Sequence, residues 1–207
     1  MNTRKKRPQQ AQLSQFSTKR EKSHTEPRYL TAEEIEKLLS SIEDMEDFTL
    51  IQFALETGVR RSELTTIETK DLDFQQQSVP IYDEKKDGYR RIVFPKSVAT
   101  QVKRYLNARQ VRSKLLFPFT TRTVNNKVKR WATKAGIRLD PKTKESKVSA
   151  HWFRHTYIRR SQMAGRDMKV VQQNTGDTEQ TILKYYRELT VEDRVKETEE
   201  KPLVRGW

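Results

Sequence analysis

Apolar residues recur at helical spacing along most of this chain, and this periodicity limits the possible folds more than any other feature. The stretch YLTAEEIEKLLSSIED places its apolar residues on one face of an α-helix, at Ile35, Leu38, Leu39 and Ile42. Thr31 and Glu34 form a capping-box pair that predicts where this helix begins. Gly58 closes the next helical stretch, and Gly165 closes a later one. The sequence therefore predicts a mainly helical domain.

One segment departs from the helical pattern. SVPIYD and YRRIVFP read as strands on either side of the turn KKDG, in which Asp87-Gly88 is a hairpin dipeptide. Helical spacing then returns in KSVATQVKRYLNARQ, TRTVNNKVKRWATKAG and AHWFRHTYIRRSQMAG, and short helices are expected after Arg166 and after Asp177. The expected fold class is mainly α with a small antiparallel β-sheet (α+β), with one domain over residues 29–188.

Basic residues outnumber acidic ones, 42 Lys and Arg against 28 Asp and Glu, which gives a net charge of +14. Such an excess is typical of nucleic-acid-binding proteins, because each basic contact with a phosphate releases condensed counterions. A merely soluble basic surface is the plainer alternative. An anionic membrane surface is a weaker one, because no stretch resembles a basic amphipathic helix with a continuous apolar face. A nucleic acid is therefore the expected partner.

Basic residues concentrate in two places. Residues 1–28 carry eight Lys and Arg against two acids, a net charge of +6, and begin with Arg4, Lys5, Lys6 and Arg7. We expect a disordered arm that follows DNA phosphates, although a solvated leader without a role fits the sequence equally well. A helix with Lys127, Lys129 and Arg130 opposite its apolar face is the second candidate DNA-binding element.

Several classes of site and location are excluded by composition. The chain has no cysteine, which excludes disulfides, cysteine-based zinc sites and a thiol nucleophile. No apolar run approaches the roughly 20 residues that span a bilayer, and no signal-peptide core follows the basic N-terminus. We therefore expect a cytoplasmic, DNA-associated protein.

Three short motifs carry residues suited to phosphate chemistry. TGVRRSEL sets Arg60 at the start of a helix, AHWFRHT sets His151 and Arg154 on one helix face, and KYYR contains Tyr186. Paired guanidiniums and an imidazole suit the charge that develops at phosphorus, and a phenol suits nucleophilic attack. Each residue taken singly is explained as well by a capping, core or surface role.

The order of these motifs adds specificity. TGVRRSEL, KKDGYRR, AHWFRHT and TGDTEQTILKYYR together resemble the catalytic domain of the tyrosine recombinases, the phage integrase family, over about residues 28–190. The resemblance implies a tyrosine-recombinase-like catalytic fold. It implies five catalytic residues, which are Arg60, Lys86, His151, Arg154 and Tyr186.

Three of these assignments have a neighbouring rival. Arg61 competes with Arg60, but Gly58-Val59-Arg60 matches the family motif without a shift. Lys85 competes with Lys86, which the adjacent Asp-Gly turn favours. Tyr185 competes with Tyr186 by adjacency only, since neighbouring residues on a helix point about 100° apart.

The resemblance also implies a reaction. Tyr186 would attack a DNA phosphodiester and form a 3′-phosphotyrosyl bond, while Arg60 and Arg154 hold the non-bridging oxygens. Lys86 would protonate the leaving 5′-oxygen, and His151 would assist proton transfer at the tyrosine. No metal or other cofactor is implied, because the covalent link conserves the bond energy. Glu63 is expected to buttress Arg60, and Trp152, Phe153 and His155 are expected to pack.

One position departs from the family pattern. Asp177 stands where a histidine, or sometimes a tryptophan, normally follows the glycine, and an ionised carboxylate repels a phosphate. Three explanations remain open: Asp177 turns away to cap the next helix, a neighbour such as Thr178 donates instead, or the site is slower. The first fits its position before a helix.

Function and assembly also have alternatives. The expected function is site-specific DNA recombination of the integrase, excisionase or resolvase type. A type IB topoisomerase and a catalytically weak DNA-binding protein derived from a recombinase are the rivals. The resemblance implies a homo-tetramer on DNA, which we expect to be a monomer in free solution. The tail, residues 189–207, would dock on a neighbouring protomer or fold back on its own domain.

Overall fold

The computed structural model of the protein describes residues 28–84, 86–110 and 113–185. The arm at residues 1–27, Lys85, Tyr186 and the tail at residues 189–207 lie outside the described residues. The α-helices there are α1 Ala32–Ser40, α2 Met45–Thr57, α3 Arg61–Leu64, α4 Lys96–Ala108, α5 Thr121–Lys134, α6 Ala150–Met163, α7 Met168–Thr175 and α8 Glu179–Tyr185. None of the helices within these ranges combines the length and the apolar character needed to cross a membrane.

The predicted helix ends are present. Thr31 Oγ1 accepts a hydrogen bond from the Glu34 amide at 3.2 Å, and the Thr31 amide donates to Glu34 Oε2 at 2.9 Å. Gly58 ends α2 in the left-handed conformation, with φ of +66°. A Cβ atom at Gly58 would lie 2.5 Å from the ring of Tyr157, so this turn requires glycine for its conformation and for its close packing.

The core forms around α2, which packs against α4 and α6. Ile51 and Phe53 of α2 are completely buried, and the Phe53 ring contacts those of Phe94 and Phe117 at centroid distances of 5.7 and 5.9 Å. Burial of side chains this large supplies most of the stabilisation of such a domain. The end of α2, which carries the Gly58 turn, is therefore a rigid platform for the residues that follow it.

The predicted hairpin consists of β1, Ser78–Asp83, and β2, Gly88–Val93, paired antiparallel in a two-stranded sheet. Val79, Ile81 and Ile92 point inward and are buried. Asn174 of α7 holds β2 in place, since its side chain accepts from the Val93 amide and donates to the Val93 carbonyl, both at 2.9 Å. The hairpin and the end of α7 are thus fixed relative to each other.

Candidate active site

Arg60 lies between the end of α2 and the start of α3. Its amide donates to Glu63 Oε2 at 2.7 Å, and its Nη1 donates to Glu63 Oε1 at 2.9 Å. Glu63 therefore buttresses Arg60, as expected. Burial alone would lower the pKa of Arg60, but the carboxylates of Glu63, Asp177 and Asp83 outweigh burial and raise the pKa above its ordinary value.

Arg154 lies on α6 and is only 3% exposed. Its Nη1 donates to the Gly58 carbonyl at 2.8 Å, and its Nη2 donates to the Thr175 carbonyl at 2.6 Å. These bonds link the C-terminal ends of α2 and α7 to the guanidinium. Burial lowers the pKa of Arg154, and the neighbouring Asp177 carboxylate opposes that shift.

Asp177 connects the two arginines. Its Oδ1 accepts from Arg60 Nη2 at 3.0 Å, and its Oδ2 accepts from Arg154 Nε at 3.1 Å. The same Oδ2 forms an ion pair with Arg154 Nη2 at 2.5 Å. The expectation that Asp177 turns away and caps the next helix is wrong. Thr178 takes that place, since its hydroxyl accepts from the Thr181 amide at 3.3 Å. The charges of two guanidiniums attract the carboxylate more strongly than a single capping amide does.

Arg90, Glu63 and Asp83 form a second layer of charge next to this centre, which was not predicted from the sequence. Arg90 Nη2 donates to Glu63 Oε2 at 2.7 Å, and Arg90 Nη1 lies 3.4 Å from Asp83 Oδ2. Asp83 Oδ1 in turn lies 3.6 Å from Arg60 Nη1. The two-residue period of the strands contained a clue, because Asp83 falls on the same face as Ile81 and Arg90 on the same face as Ile92.

His151 and His155 occupy successive turns of α6. His151 is exposed one turn before Arg154, and its ring meets the edge of the His155 ring at a centroid distance of 4.3 Å. Partial removal of the His151 ring from solvent and the Arg154 charge lower the pKa of His151, which favours the neutral imidazole that a general base requires. His155 is buried with its Nδ1 3.1 Å from the Arg28 carbonyl, and burial with the nearby His151 lowers its pKa to about 4. Trp152 and Phe153 are buried, as expected.

Lys86 lies at the exposed tip of the hairpin, and its amide donates to the Asp83 carbonyl at 3.0 Å. Asp83 is therefore a short link between the lysine turn and Arg60.

Tyr186 itself is outside the described residues, so its assignment over Tyr185 stays a prediction. The helix that leads to it, α8, begins two residues after Asp177.

The predicted DNA-binding residues of α5 take part in ion pairs. Lys127 and Arg130 both contact the completely buried Asp47, which also accepts from Trp131 Nε1 at 2.6 Å. Lys129 pairs with Glu145 on the surface. Lys127 and Arg130 thus compensate a buried charge, and the DNA contacts of all three stay a prediction, as do those of Arg4, Lys5, Lys6 and Arg7 outside the described residues.

The centre as a whole has the composition of an anion-binding site. Arg60, which directly precedes α3, and Arg154 of α6 both bind the Asp177 carboxylate, and the His151 imidazole lies one helical turn from Arg154. Residues of this type, held by backbone carbonyls and carboxylates, match a site that stabilises negative charge developing on phosphate oxygens.

The sequence profile of the Phage integrase family matches residues 28–193, which contain every element of this centre. The chain belongs to the phage integrase family. Tyrosine recombinase XerA of Pyrococcus furiosus is 27% identical over 188 residues, which are 86% of this chain and 62% of XerA. The chain thus spans less than two thirds of that relative.

Solved structures of the phage integrase fold agree. A crystal structure of XerA recombinase aligns with a TM-score of 0.70 at 24% identity, covering 85% of this chain and 66% of that chain. The Tn1549 transposon integrase in complex with transposon right end DNA aligns with a TM-score of 0.67 at 22% identity, covering 83% and 65%. The predicted fold class, a mainly helical domain with a small sheet, is confirmed.

Proposed function

We propose that this member of the phage integrase family is a site-specific recombinase that cleaves and rejoins double-stranded DNA. One observation carries the proposal: Arg60, which directly precedes α3, and Arg154 of α6 both bind the same anionic group at distances of 3.1 Å or less. A site built to hold an anion between two fixed guanidiniums suits a phosphodiester. The transposon integrase, whose structure was solved with DNA, supports the choice of partner.

Each residue takes one part of the reaction. The Tyr186 oxygen attacks phosphorus, a P–O bond to tyrosine forms, and the bond from phosphorus to the 5′-oxygen breaks. The phenolic proton passes to neutral His151, and Lys86 supplies a proton to the leaving 5′-oxygen. Arg60 and Arg154 neutralise the charge on the non-bridging oxygens. Attack by another 5′-hydroxyl reverses these steps and joins new strands.

Assembly belongs to the same proposal. A protomer with a net charge of +14 repels its copies in free solution, and DNA phosphates remove that repulsion. We infer a monomer that forms a tetramer on DNA. In this proposal residues 1–28 follow the backbone, residues 29–188 catalyse, and residues 189–207 dock on a neighbouring protomer. The sequence supports the last part, since PLVRGW at the terminus has apolar residues that a partner's groove would bury.

The experiment is a covalent-attachment assay with a nicked suicide duplex. Wild-type protein is expected to give a DNA band that survives SDS and disappears with protease. Tyr186→Phe removes only the phenolic oxygen, so it abolishes attachment while DNA affinity stays within about twofold of wild type. Tyr185→Phe is the matched control and keeps attachment.

Three results would contradict parts of the proposal. Loss of attachment in Tyr185→Phe alone moves the nucleophile by one residue. Absence of attachment in the wild type leaves a DNA-binding protein without catalysis. Relaxation of supercoiled plasmid without strand exchange between two sites would identify a topoisomerase.

A further inference from the structure

The hydrogen bonds of Arg154 leave little room for a substrate. A guanidinium has five N–H donors. Arg154 Nη1 donates to the Gly58 carbonyl, Nη2 donates to the Thr175 carbonyl, and Nε donates to Asp177. Nη2 also forms an ion pair with the Asp177 carboxylate. A bidentate grip on a phosphate needs two neighbouring N–H groups, and Asp177 holds the pair formed by Nε and Nη2. Arg154 cannot bind a phosphate in this way while Asp177 stays in place.

The N–H groups of Arg60 are also engaged by carboxylates. Its Nη1 donates to Glu63, and its Nη2 donates to Asp177 Oδ1 at 3.0 Å. Glu63 and Asp83 would remain beside Arg60 if Asp177 turned away, so this arginine would stay compensated on its buried side. Of these contacts, the one with Asp177 is the one that Arg60 shares with Arg154.

The Asp177 carboxylate and a DNA phosphate would compete for the same two guanidiniums, because both carry a negative charge. Asp177 places a carboxylate between the guanidiniums, where the proposed function requires a phosphodiester anion. Two like charges within hydrogen-bonding reach of the same donors repel strongly in a partly buried site. We propose that in the DNA-free protein the Asp177 carboxylate occupies the position between Arg60 and Arg154 that the DNA phosphate takes in the complex. The DNA phosphate must therefore displace this carboxylate. This inference rests on the proposed function for the identity of the displacing anion.

The backbone around Asp177 is held in place, so the carboxylate leaves the arginines by a movement of the Asp177 side chain. Gly176 has a φ of +71°, and a Cβ atom there would lie 2.7 Å from Asp83 Oδ2 and 3.0 Å from Arg90 Cζ. The chain before Asp177 is thus packed against the second charge layer, and Thr178 after it caps α8. The side chain of Asp177 remains 12% exposed. Rotation of the Asp177 side chain towards solvent frees both arginines without a shift of α7 or α8.

The test is Asp177→Asn, which removes the charge and keeps the shape and one acceptor oxygen. Glu36→Gln is the matched control, because it removes one negative charge from an exposed position on α1. The probe is inorganic phosphate, followed by the ¹⁵N signals of the arginine Nε groups in the full chain. Linked binding events on one protein typically influence each other about 5- to 150-fold, so we expect Asp177→Asn to bind phosphate roughly tenfold more tightly. Glu36→Gln should match wild type.

Cleavage of the suicide duplex supplies an independent result. Asp177→Asn is expected to attach to DNA roughly tenfold faster than wild type at limiting DNA concentration. Weaker phosphate binding with slower attachment would overturn the inference, since Asp177 would then position the arginines for substrate. Tighter phosphate binding with no attachment by any variant would support the displaced anion and contradict the proposed function. If Asp177→Asn loses its cooperative thermal transition, Asp177→Ser carries the same expectation with a smaller side chain.

Discussion

Arg60 and Arg154 differ in how deeply the fold holds them, with side chains 23% and 4% exposed. Arg154→Ala removes the donor to the Gly58 and Thr175 carbonyls and one of the two arginines that bind the Asp177 carboxylate. We expect it to lower the free energy of unfolding by about 3–5 kcal/mol, whereas Arg60→Ala lowers it by about 1 kcal/mol. Urea unfolding curves followed by circular dichroism measure both values.

Both substitutions should also slow DNA cleavage, by roughly 2.7–4 kcal/mol of transition-state stabilisation each, the loss typical of one oxyanion donor. Single-turnover attachment rates below the unfolding midpoint separate this effect from instability. Equal losses in DNA affinity and in rate would instead mean that the arginines only grip the backbone.

His155 makes stability depend on pH. The unfolded chain takes up a proton at an ordinary histidine pKa of 6.5, whereas the folded protein does so only at a pKa of about 4. The unfolded state therefore binds more protons between these values, and stability falls as the pH drops from about 6.5 to about 4. We expect roughly 3 kcal/mol to be lost in this window, since one pKa unit corresponds to about 1.4 kcal/mol.

His155→Gln is the variant that tests this expectation, because glutamine does not titrate. Urea unfolding at a series of pH values should show a smaller pH dependence in the variant than in wild type. Identical slopes in the two proteins would assign the dependence to other groups.

At the scale of elements, the turn between α7 and α8 brings the hairpin and the arginine centre together. Gly176 and Gly136 have nearly the same φ, +71° and +70°, but a Cβ atom at Gly136 meets nothing within 4 Å. Gly136→Ala should therefore cost only about 1 kcal/mol of backbone strain. Gly176→Ala adds the clash with Asp83 and Arg90, so we expect at least about 2 kcal/mol more and a slower attachment rate.

Thermal unfolding and the attachment assay measure this pair. Equal destabilisation by the two substitutions would show that Asp83 and Arg90 move aside at little cost. The comparison removes the shared conformational penalty, so the difference reports the rigidity of the second charge layer.

At the scale of the whole molecule, the basic N-terminal segment should govern the salt dependence of DNA binding. Deletion of residues 1–28 removes a net charge of +6. Each phosphate that the protein no longer neutralises reduces the slope of log affinity against log salt by about 0.9. Fluorescence anisotropy with a labelled duplex across a salt series measures the slope, and Glu36→Gln shows how far one unit of charge alone alters it. An unchanged slope after deletion would mean that the arm does not touch DNA.

The sequence by itself determined the elements and the family. Helical periodicity, the Thr31 and Glu34 capping box and the Gly58 turn depend on interactions within a few residues, so each could be predicted locally. Motif order then identified Arg60, Lys86, His151, Arg154 and Tyr186 as candidates, and the structure brings Arg60 and Arg154 together as that order implied.

Only the tertiary structure decided where the charges are compensated. Asp177 contacts Arg60 and Arg154, and Asp83 contacts Arg60 and Arg90. These contacts join the segment before α3, the hairpin, α6 and the turn after α7. Local capping preference predicted the wrong partner for Asp177, because two distant guanidiniums outweigh one nearby amide. Buried charges select partners by proximity in space, and that proximity forms only when the helices and the hairpin pack.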